Sequence, residues 1–542
     1  MNRREFLQRA STLSAISTVS LTTGCLAPRS ETRLSSRSSS QFDIEEATIR
    51  DLQAGLSSGR YTAVDLVRSY QSRIDSIDRR GPQLKSVIEV NPDAVSIAAS
   101  LDAERMAKGT RGPLHGIPVL IKDNIDTHDR MSTTAGSLAL SGSIPLQDAT
   151  VVQRLRLAGA IILGKTNLSE WANFRGSNSV SGWSARGGQT RNPYFTDRNP
   201  SGSSSGSAVA TSANLCAASI GTETNGSIVS PSSYCGIVGL KPTVGLVSRT
   251  GIIPISAAMD TAGPMTRTVT DAAVLLGVLA GPDPKDEATQ RSAGRIHQNY
   301  TQFLKADALR GTRIGVLHTM FRLHPKIDTV LAAVLRHLEE DISAEMVNLN
   351  LPALPGLSEA RYQVMLYEFK AGLNAYFASL GPHSPVKRLE DLIEFNRKEH
   401  RRELAIFGQE ILLDAVRKGP LTDSVYLEAR NKLQEWRDIL TRFMDSNRVE
   451  ALIAPTAGPA PTIDYITGDR GLGGSSTPAA TAGFPHITVP CGNVYGLPLG
   501  LSFFGRAWSE PTLLSLAYAF EQSCKARIIP KFHSTMEASY YS

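Results

Sequence analysis

The sequence predicts an α/β fold, a sheet with helices over both faces, interrupted by a helical insertion. Three features predict it. Short apolar runs alternate with stretches of helical periodicity through the first half of the chain. Residues from about 286 to 447 are more charged and read as mostly helical. From Ala451 onward the short apolar runs return. No repeat of fixed period is present.

The first 40 residues read as an address rather than as structure. They hold Arg3, Arg4, Arg9, Arg29, Arg33 and Arg37 against Glu5 and Glu31, and so account for most of the formal charge of +6. The rest of the chain shows no basic stripe, so no nucleic-acid partner is expected. Asn2-Arg3-Arg4-Glu5-Phe6-Leu7 resembles a twin-arginine export motif. The stretch 10–21 that follows is too short and too rich in Ser and Thr to span a bilayer. Leu21-Thr22-Thr23-Gly24-Cys25 is a loose lipobox, with Thr22 where that motif has an aliphatic residue. The expectation is a signal over 1–25, a Ser/Arg-rich flexible tether over 26–41, and a folded domain over 42–535. The protein is then exported folded to the periplasm, either released by plain cleavage or tethered to the membrane through a lipidated Cys25. Cys216, Cys235, Cys491 and Cys524 show no close pairing and no metal-ligand spacing, so no metal is expected. Cys216 and Cys235 lie among apolar residues and are expected in the core.

The elements follow in order. Residues 44–78 have helical periodicity, with Asp51, Thr62 and Asp65 near helix starts. Residues 94–108 read as a helix ended by Gly109. Gly116-Ile117-Pro118-Val119-Leu120-Ile121 is a buried strand whose end turns polar at Lys122-Asp123-Asn124. A helix over 149–158 and a strand over 160–163 come next. Residues 173–207 are dense in Gly, Ser, Asn, Arg and Pro, and their place between patterned segments marks them as functional. Amphipathic stretches cover 361–378 and 389–416, and strands are expected at 487–490 and 501–504.

Two familiar motifs fail on context. Gly159-Ala160-Ile161-Ile162-Leu163-Gly164-Lys165-Thr166 spells a phosphate loop, but its four middle residues belong to a buried strand and cannot also form a phosphate-facing turn. Gly202-Ser203-Ser204-Ser205-Gly206 spells a nucleophile elbow, which needs a strand before it and a catalytic histidine after it. Asp197-Arg198-Asn199-Pro200 is a turn, although His486 and His533 do lie downstream.

A different chemistry fits better. A serine hydroxyl attacks only when something removes its proton. A neutral lysine can do so, and lysine is neutral near pH 7 where burial makes its ammonium costly. Lys122 directly follows an apolar run. Ser203 sits in one Ser/Gly cluster, and Ser227 in a second, Gly221-Thr222-Glu223-Thr224-Asn225-Gly226-Ser227-Ile228. The small apolar segment 208–220 can fold back, as one helix or as a helix and strand, and bring the clusters together. Successive N–H groups around Gly226 and Ser227 can then meet an oxyanion.

Two further segments follow, Cys235-Gly236-Ile237-Val238-Gly239-Leu240-Lys241-Pro242-Thr243 and Asp260-Thr261-Ala262-Gly263-Pro264-Met265. Near the end come Gly483-Phe484-Pro485-His486-Ile487-Thr488-Val489-Pro490 and Gly496-Leu497-Pro498-Leu499-Gly500-Leu501. In this order and spacing they resemble the amidase signature family, from about residue 42 to 522. The resemblance implies an amidase signature fold, a central mixed β-sheet with helices on both faces and a helical insertion. It implies a hydrolase that cuts carboxamide C–N bonds through an acyl-enzyme, with no cofactor. Lys122 matches the base, Ser203 the bridging serine that follows a cis peptide bond, and Ser227 the nucleophile. The amides of Thr224, Asn225, Gly226 and Ser227 match the oxyanion hole. Ser204 joins Thr224, Asn225 and Gly226 as a substrate-binding candidate. The family often has Gly at the positions of Ser205 and Asn225, and Arg at that of Val229, so the Asn225 side chain could crowd the substrate carbonyl.

Gly182-Trp183-Ser184-Ala185-Arg186-Gly187-Gly188-Gln189-Thr190-Arg191-Asn192-Pro193-Tyr194 and Glu368-Phe369-Lys370 look like the bacterial peptide amidase branch. That branch removes the C-terminal carboxamide of peptides and releases ammonia. Two alternatives stay open. One is an amidotransferase-like member of the same family, which works with cytoplasmic partners that an exported chain would not meet. The other is a catalytically silent amidase fold used for binding.

Overall fold

The computed structural model describes residues 44–382 and 384–537. The expected export signal, Cys25 and the tether lie outside the described residues. Thirteen strands are present among the described residues: β1 Val87–Val90, β2 Pro118–Lys122, β3 Ile161–Thr166, β4 Trp183–Ser184, β5 Gly188–Gln189, β6 Ala218–Glu223, β7 Val238–Lys241, β8 Thr261–Thr266, β9 Arg313–Val316, β10 Glu345–Asn348, β11 Ala451–Pro455, β12 His486–Val494 and β13 Leu497–Phe504. Strands β4 and β5 pair only with each other; the other eleven form one sheet in the order β1-β3-β2-β6-β8-β7-β12-β13-β11-β9-β10.

The sheet is mixed, as expected. Strands β3, β2 and β6 are parallel, and so are β11, β9 and β10. Between these blocks the pairings from β6 through β8, β7, β12 and β13 to β11 are antiparallel. Every residue of β2, β3, β6, β7, β8, β11 and β13 is buried. Strands buried along their whole length belong to a sheet covered on both faces, which is why β2 and β11 read as apolar runs instead of alternating ones, while β6 and β8 are buried with small and polar residues among the apolar ones. Strands β12 and β13 are joined by Tyr495 and Gly496, both at positive φ, the conformation that a two-residue hairpin turn requires.

Local signals set the helix ends. Thr48 with Asp51 and Thr62 with Asp65 form capping boxes at the starts of Ile49–Ser57 and Ala63–Arg73. The helix Ala94–Lys108 stops at Gly109, whose φ is +82°. The segment 208–220 resolves into the helix Ser205–Ser212 followed by β6. The phosphate-loop spelling falls on β3, a fully buried strand, with Lys165 Nζ donating to the Ile125 carbonyl at 2.6 Å. Cys216 and Cys235 are fully buried.

The insertion carries the helices Leu357–Ser379, Leu389–Lys398, Glu410–Val416 and Ser424–Ser446. It also holds β9 and β10, which the sequence does not announce and which extend the sheet at its far edge. Leu357–Ser379 packs on Ser424–Ser446 and closes over aromatic residues of the loop after β3. Phe174 meets Phe369 with ring centroids 5.1 Å apart, and Trp171 meets Phe377 at 6.2 Å. Beside them lies a buried ionic cluster. Arg175, Glu170 and Glu403 have no exposed side-chain surface. Arg175 Nη1 donates to Glu170 and, at 2.6 Å, to the Glu403 carbonyl, while Nη2 reaches the Phe407 carbonyl at 2.9 Å. Burial lifts the Glu170 pKa well above the carboxylate range, Arg175 opposing and Glu403 adding to the shift.

Candidate active site

Lys122 is the last residue of β2 and has no exposed surface. Its Nζ lies 2.7 Å from Ser203 Oγ, 2.9 Å from Thr222 Oγ1 and 3.3 Å from the Thr222 carbonyl. Burial pulls its pKa down from 10.5 to about 7, with Asp260 and then Glu223 opposing the shift. Three oxygens around a dry amine suit either protonation state, since Ser203 and Thr222 hydroxyls can donate to a neutral nitrogen or accept from a charged one.

The segment 173–207 reaches Ser203 as a buried, irregular chain stitched by side chains. Asn192 Nδ2 donates to the Tyr234 carbonyl at 3.0 Å, and Asn199 Nδ2 to Asp469 at 2.7 Å. The Gly202–Ser203 peptide is cis. The second serine loop follows β6 directly. Ser204 N–H donates to the Ser227 carbonyl at 3.1 Å, which ties the two loops together through the main chain.

Glu223 organises the second loop. Its buried carboxylate accepts from the N–H groups of Gly226 at 2.7 Å, Ile228 at 2.8 Å and Val229 at 3.1 Å. This corrects one expectation: Gly226 shapes the turn at φ +84°, but its N–H is occupied by Glu223 and does not face a substrate. The amides of Thr224, Asn225 and Ser227 have no acceptor among the described residues. Thr224 is held from the side, its hydroxyl donating to Asp260 Oδ1 at 2.5 Å. Burial raises the Asp260 pKa to about 6 against the bonds from Thr224, Ile255 and Ser256.

Ser204 is a second correction. Its hydroxyl donates to the Thr222 carbonyl at 3.0 Å and accepts from the Thr222 N–H at 3.2 Å, with no exposed surface. It is a brace between the serine loops, not a substrate contact. Asn225 does not crowd the site either. Its Oδ1 accepts from Ser476 Oγ at 2.7 Å and its Nδ2 donates to Thr477 Oγ1 at 3.2 Å, so the side chain is turned toward the start of the helix Ser476–Ala482.

Ser227 opens on a cavity of about 410 Å³. Thr224, Asn225 and Gly202 line it on the loop side; Ser358, Glu359, Arg361, Tyr362 and Met365 line it from the insertion. A second cavity, of about 220 Å³, shares Ala172, Thr224 and Ile255 as walls and reaches Asn124, Asp260 and Glu368.

A family model described as Amidase matches residues 65–514. The chain belongs to the amidase family. A probable amidase of Arabidopsis thaliana is 41% identical over 92% of this chain and 93% of its own length. The crystal structure of native peptide amidase from Stenotrophomonas maltophilia superposes with a TM-score of 0.85 at 48% identity, over 90% of this chain and 99% of that one. A putative amidase of Schizosaccharomyces pombe is 36% identical, over 90% of this chain and 87% of its own. The protein is a hydrolase acting on amides, and its sheet is that of the amidase fold.

Within this amidase, Lys122 and Ser203 meet in a hydrogen bond, and Ser227 joins Thr224 and Asn225 at the cavity. The two histidines of the elbow reading serve elsewhere. His486 Nε2 is 2.6 Å from Ser502 Oγ in the core and burial drops its pKa to about 3; His533 stacks on Phe195. Sequence reasoning does not single out Thr222, Glu223 or Asp260, although each lies in one of the signature segments. An acid alone in a Gly/Ser/Thr turn beside a buried strand, as Glu223 is, must find N–H donors, and that is the signal that could find it.

Proposed function

We propose that this amidase works through Lys122, Ser203 and Ser227 on the C-terminal carboxamide of peptides or similar linear amides. The observation that carries the reading is the 2.7 Å contact between the fully buried Lys122 amine and Ser203 Oγ. Neutral Lys122 takes the Ser203 proton, Ser203 takes that of Ser227, and Ser227 Oγ bonds to the amide carbon. The oxyanion is received by the free amides of Thr224, Asn225 and Ser227. The proton returns through Ser203 to the leaving nitrogen, ammonia departs, and water cleaves the ester by the reverse relay.

A base with its pKa near 7 sets the pH profile. Lys122 must be neutral in the free enzyme, so kcat/KM rises with pH, is half-maximal near pH 7, and falls by about tenfold per unit below it. A kcat/KM profile from pH 5 to 9 on one uncharged amide checks this; a flat profile rejects Lys122 as base.

The substrate reading rests on the wall. Of the apolar stretch 362–369, Tyr362 and Met365 line the cavity, while Val364, Leu366 and Phe369 pack into the core. Contacts remote from the reacting carbonyl raise turnover by positioning it. Amidated di- and tripeptides should therefore exceed acetamide in kcat/KM by about 100-fold or more. Peptides with free carboxylates should remain uncut. Ammonia release across such a panel decides; equal efficiency on acetamide, or cleavage of internal bonds, rejects the peptide-amide reading and leaves the amidase.

A further inference from the structure

We propose that Arg361 forms an anion-recognising subsite in the wall of the Ser227 cavity, so that the amides bound best carry a carboxylate or other anionic group on their acyl part. The inference rests on Ser227 being the reacting residue.

Arg361 lies in the first turns of the helix Leu357–Ser379 and lines the same cavity as Ser227, together with Tyr362 and Met365. It makes no ion pair and no hydrogen bond among the described residues, and its Nη1 is shielded from solvent with no partner. Three other arginines of this region are answered by carboxylates, while Arg437 lies over the Phe484 ring. Arg175 has Glu170 and Glu403, Arg249 has Asp286 at 2.5 Å, and Arg430 has Glu368 at 3.7 Å. The acid nearest in sequence on the cavity wall, Glu359, accepts from Gln363 Nε2 at 2.6 Å. Burial alone holds the Arg361 pKa below its ordinary value, with no carboxylate acting to raise it.

A guanidinium keeps its charge at every working pH and presents five donors in a planar fork. Nη1 alone of this fork is closed to solvent; the other guanidinium nitrogens keep access, and it is through them that an anion entering the cavity forms a charge-assisted bond to a cation no carboxylate answers. The anion must reside on the acyl part, because the leaving group of a primary carboxamide is ammonia, which has no room for a second function. For an amidated peptide the group is an acidic side chain near the C-terminus.

The test uses matched N-acetyl dipeptide amides that differ only in Asp against Asn, at the residue bearing the amide or at the one before it. Their affinities are measured by calorimetry for Ser227→Ala, which holds the substrate uncut, and for Ser227→Ala with Arg361→Gln. A charge-assisted pair of ordinary strength is worth about tenfold in affinity. The expected result is an Asp preference of that size at one position or the other. It should vanish with Arg361→Gln while the Asn peptide is held as before, and survive in part in Arg361→Lys. No preference in Ser227→Ala, or one that persists in Arg361→Gln, overturns the proposal. So does an equal loss for both peptides, which would make Arg361 a contact to a peptide carbonyl. Ammonia release by the wild type from the neutral peptides reports separately on the amidase reading, and its failure would leave the binding comparison to decide on Arg361.

Discussion

Ser227→Ala should lower kcat on peptide amides by on the order of 10⁶-fold, the scale seen when a serine nucleophile is removed and only binding and oxyanion contacts remain. The fold should be unchanged, because the Ser227 side chain makes no hydrogen bond among the described residues that alanine would break, and its carbonyl still accepts from Ser204. A serine-directed phosphonate should label the wild type at Ser227, read by mass spectrometry of peptides. Label on another serine, with activity retained in Ser227→Ala, would move the nucleophile elsewhere. Substrate affinity in the variant should be nearly intact, since Thr224, Asn225 and the insertion wall remain.

Lys122→Ala should lower turnover by about 10²–10⁴-fold, the range for a positioned general base. The more telling substitution is Lys122→Arg. It keeps a cation at the end of β2 but cannot give up a proton at working pH, so it should be as inactive as alanine. Burying that permanent charge also costs stability, because Asp260 and Glu223 are the acids that counter the Lys122 shift and neither bonds to it. Melting temperature and turnover are therefore measured together. Activity in Lys122→Arg within tenfold of wild type would leave Lys122 an electrostatic role and remove the proton transfer.

Much of the site is legible in the sequence because it is built from short-range signals. Lys122 stands out because three apolar residues lead into it, and the strand there is buried on both faces. The helix starts at Thr48 and Thr62 carry their caps in the sequence. What stays hidden depends on partners distant in the chain. Strand β10 is four residues at the sheet edge, exposed at both ends, so burial imposes no apolar pattern on it. Ser204 looks like its neighbour Ser203 until Thr222 folds back 18 residues later and takes its hydroxyl. The Gly226 amide is claimed by a glutamate three residues earlier, a contact that composition does not express. Arg361 is an ordinary helical arginine in sequence, and only the packing of Leu357–Ser379 over the serine loops sets it on the cavity wall.

The buried cluster of Arg175, Glu170 and Glu403 bears on how such an enzyme can be re-engineered. Glu170 and Arg175 follow β3, at the edge of the serine loops, and Glu403 belongs to the insertion that walls the cavity. Glu403 also accepts from the Leu138 N–H at 2.7 Å and the Ser137 hydroxyl at 3.1 Å. A wall segment transplanted without this register would leave Arg175 its Glu170 partner but remove the Glu403 carboxylate and the Glu403 and Phe407 carbonyls that its guanidinium also meets, at a cost of about 1–3 kcal/mol for each buried group left unsatisfied. The insertion is therefore not an exchangeable cassette. Specificity in this protein is to be altered one wall residue at a time, at positions such as Tyr362 and Met365 that border the cavity and stand apart from the ionic joint.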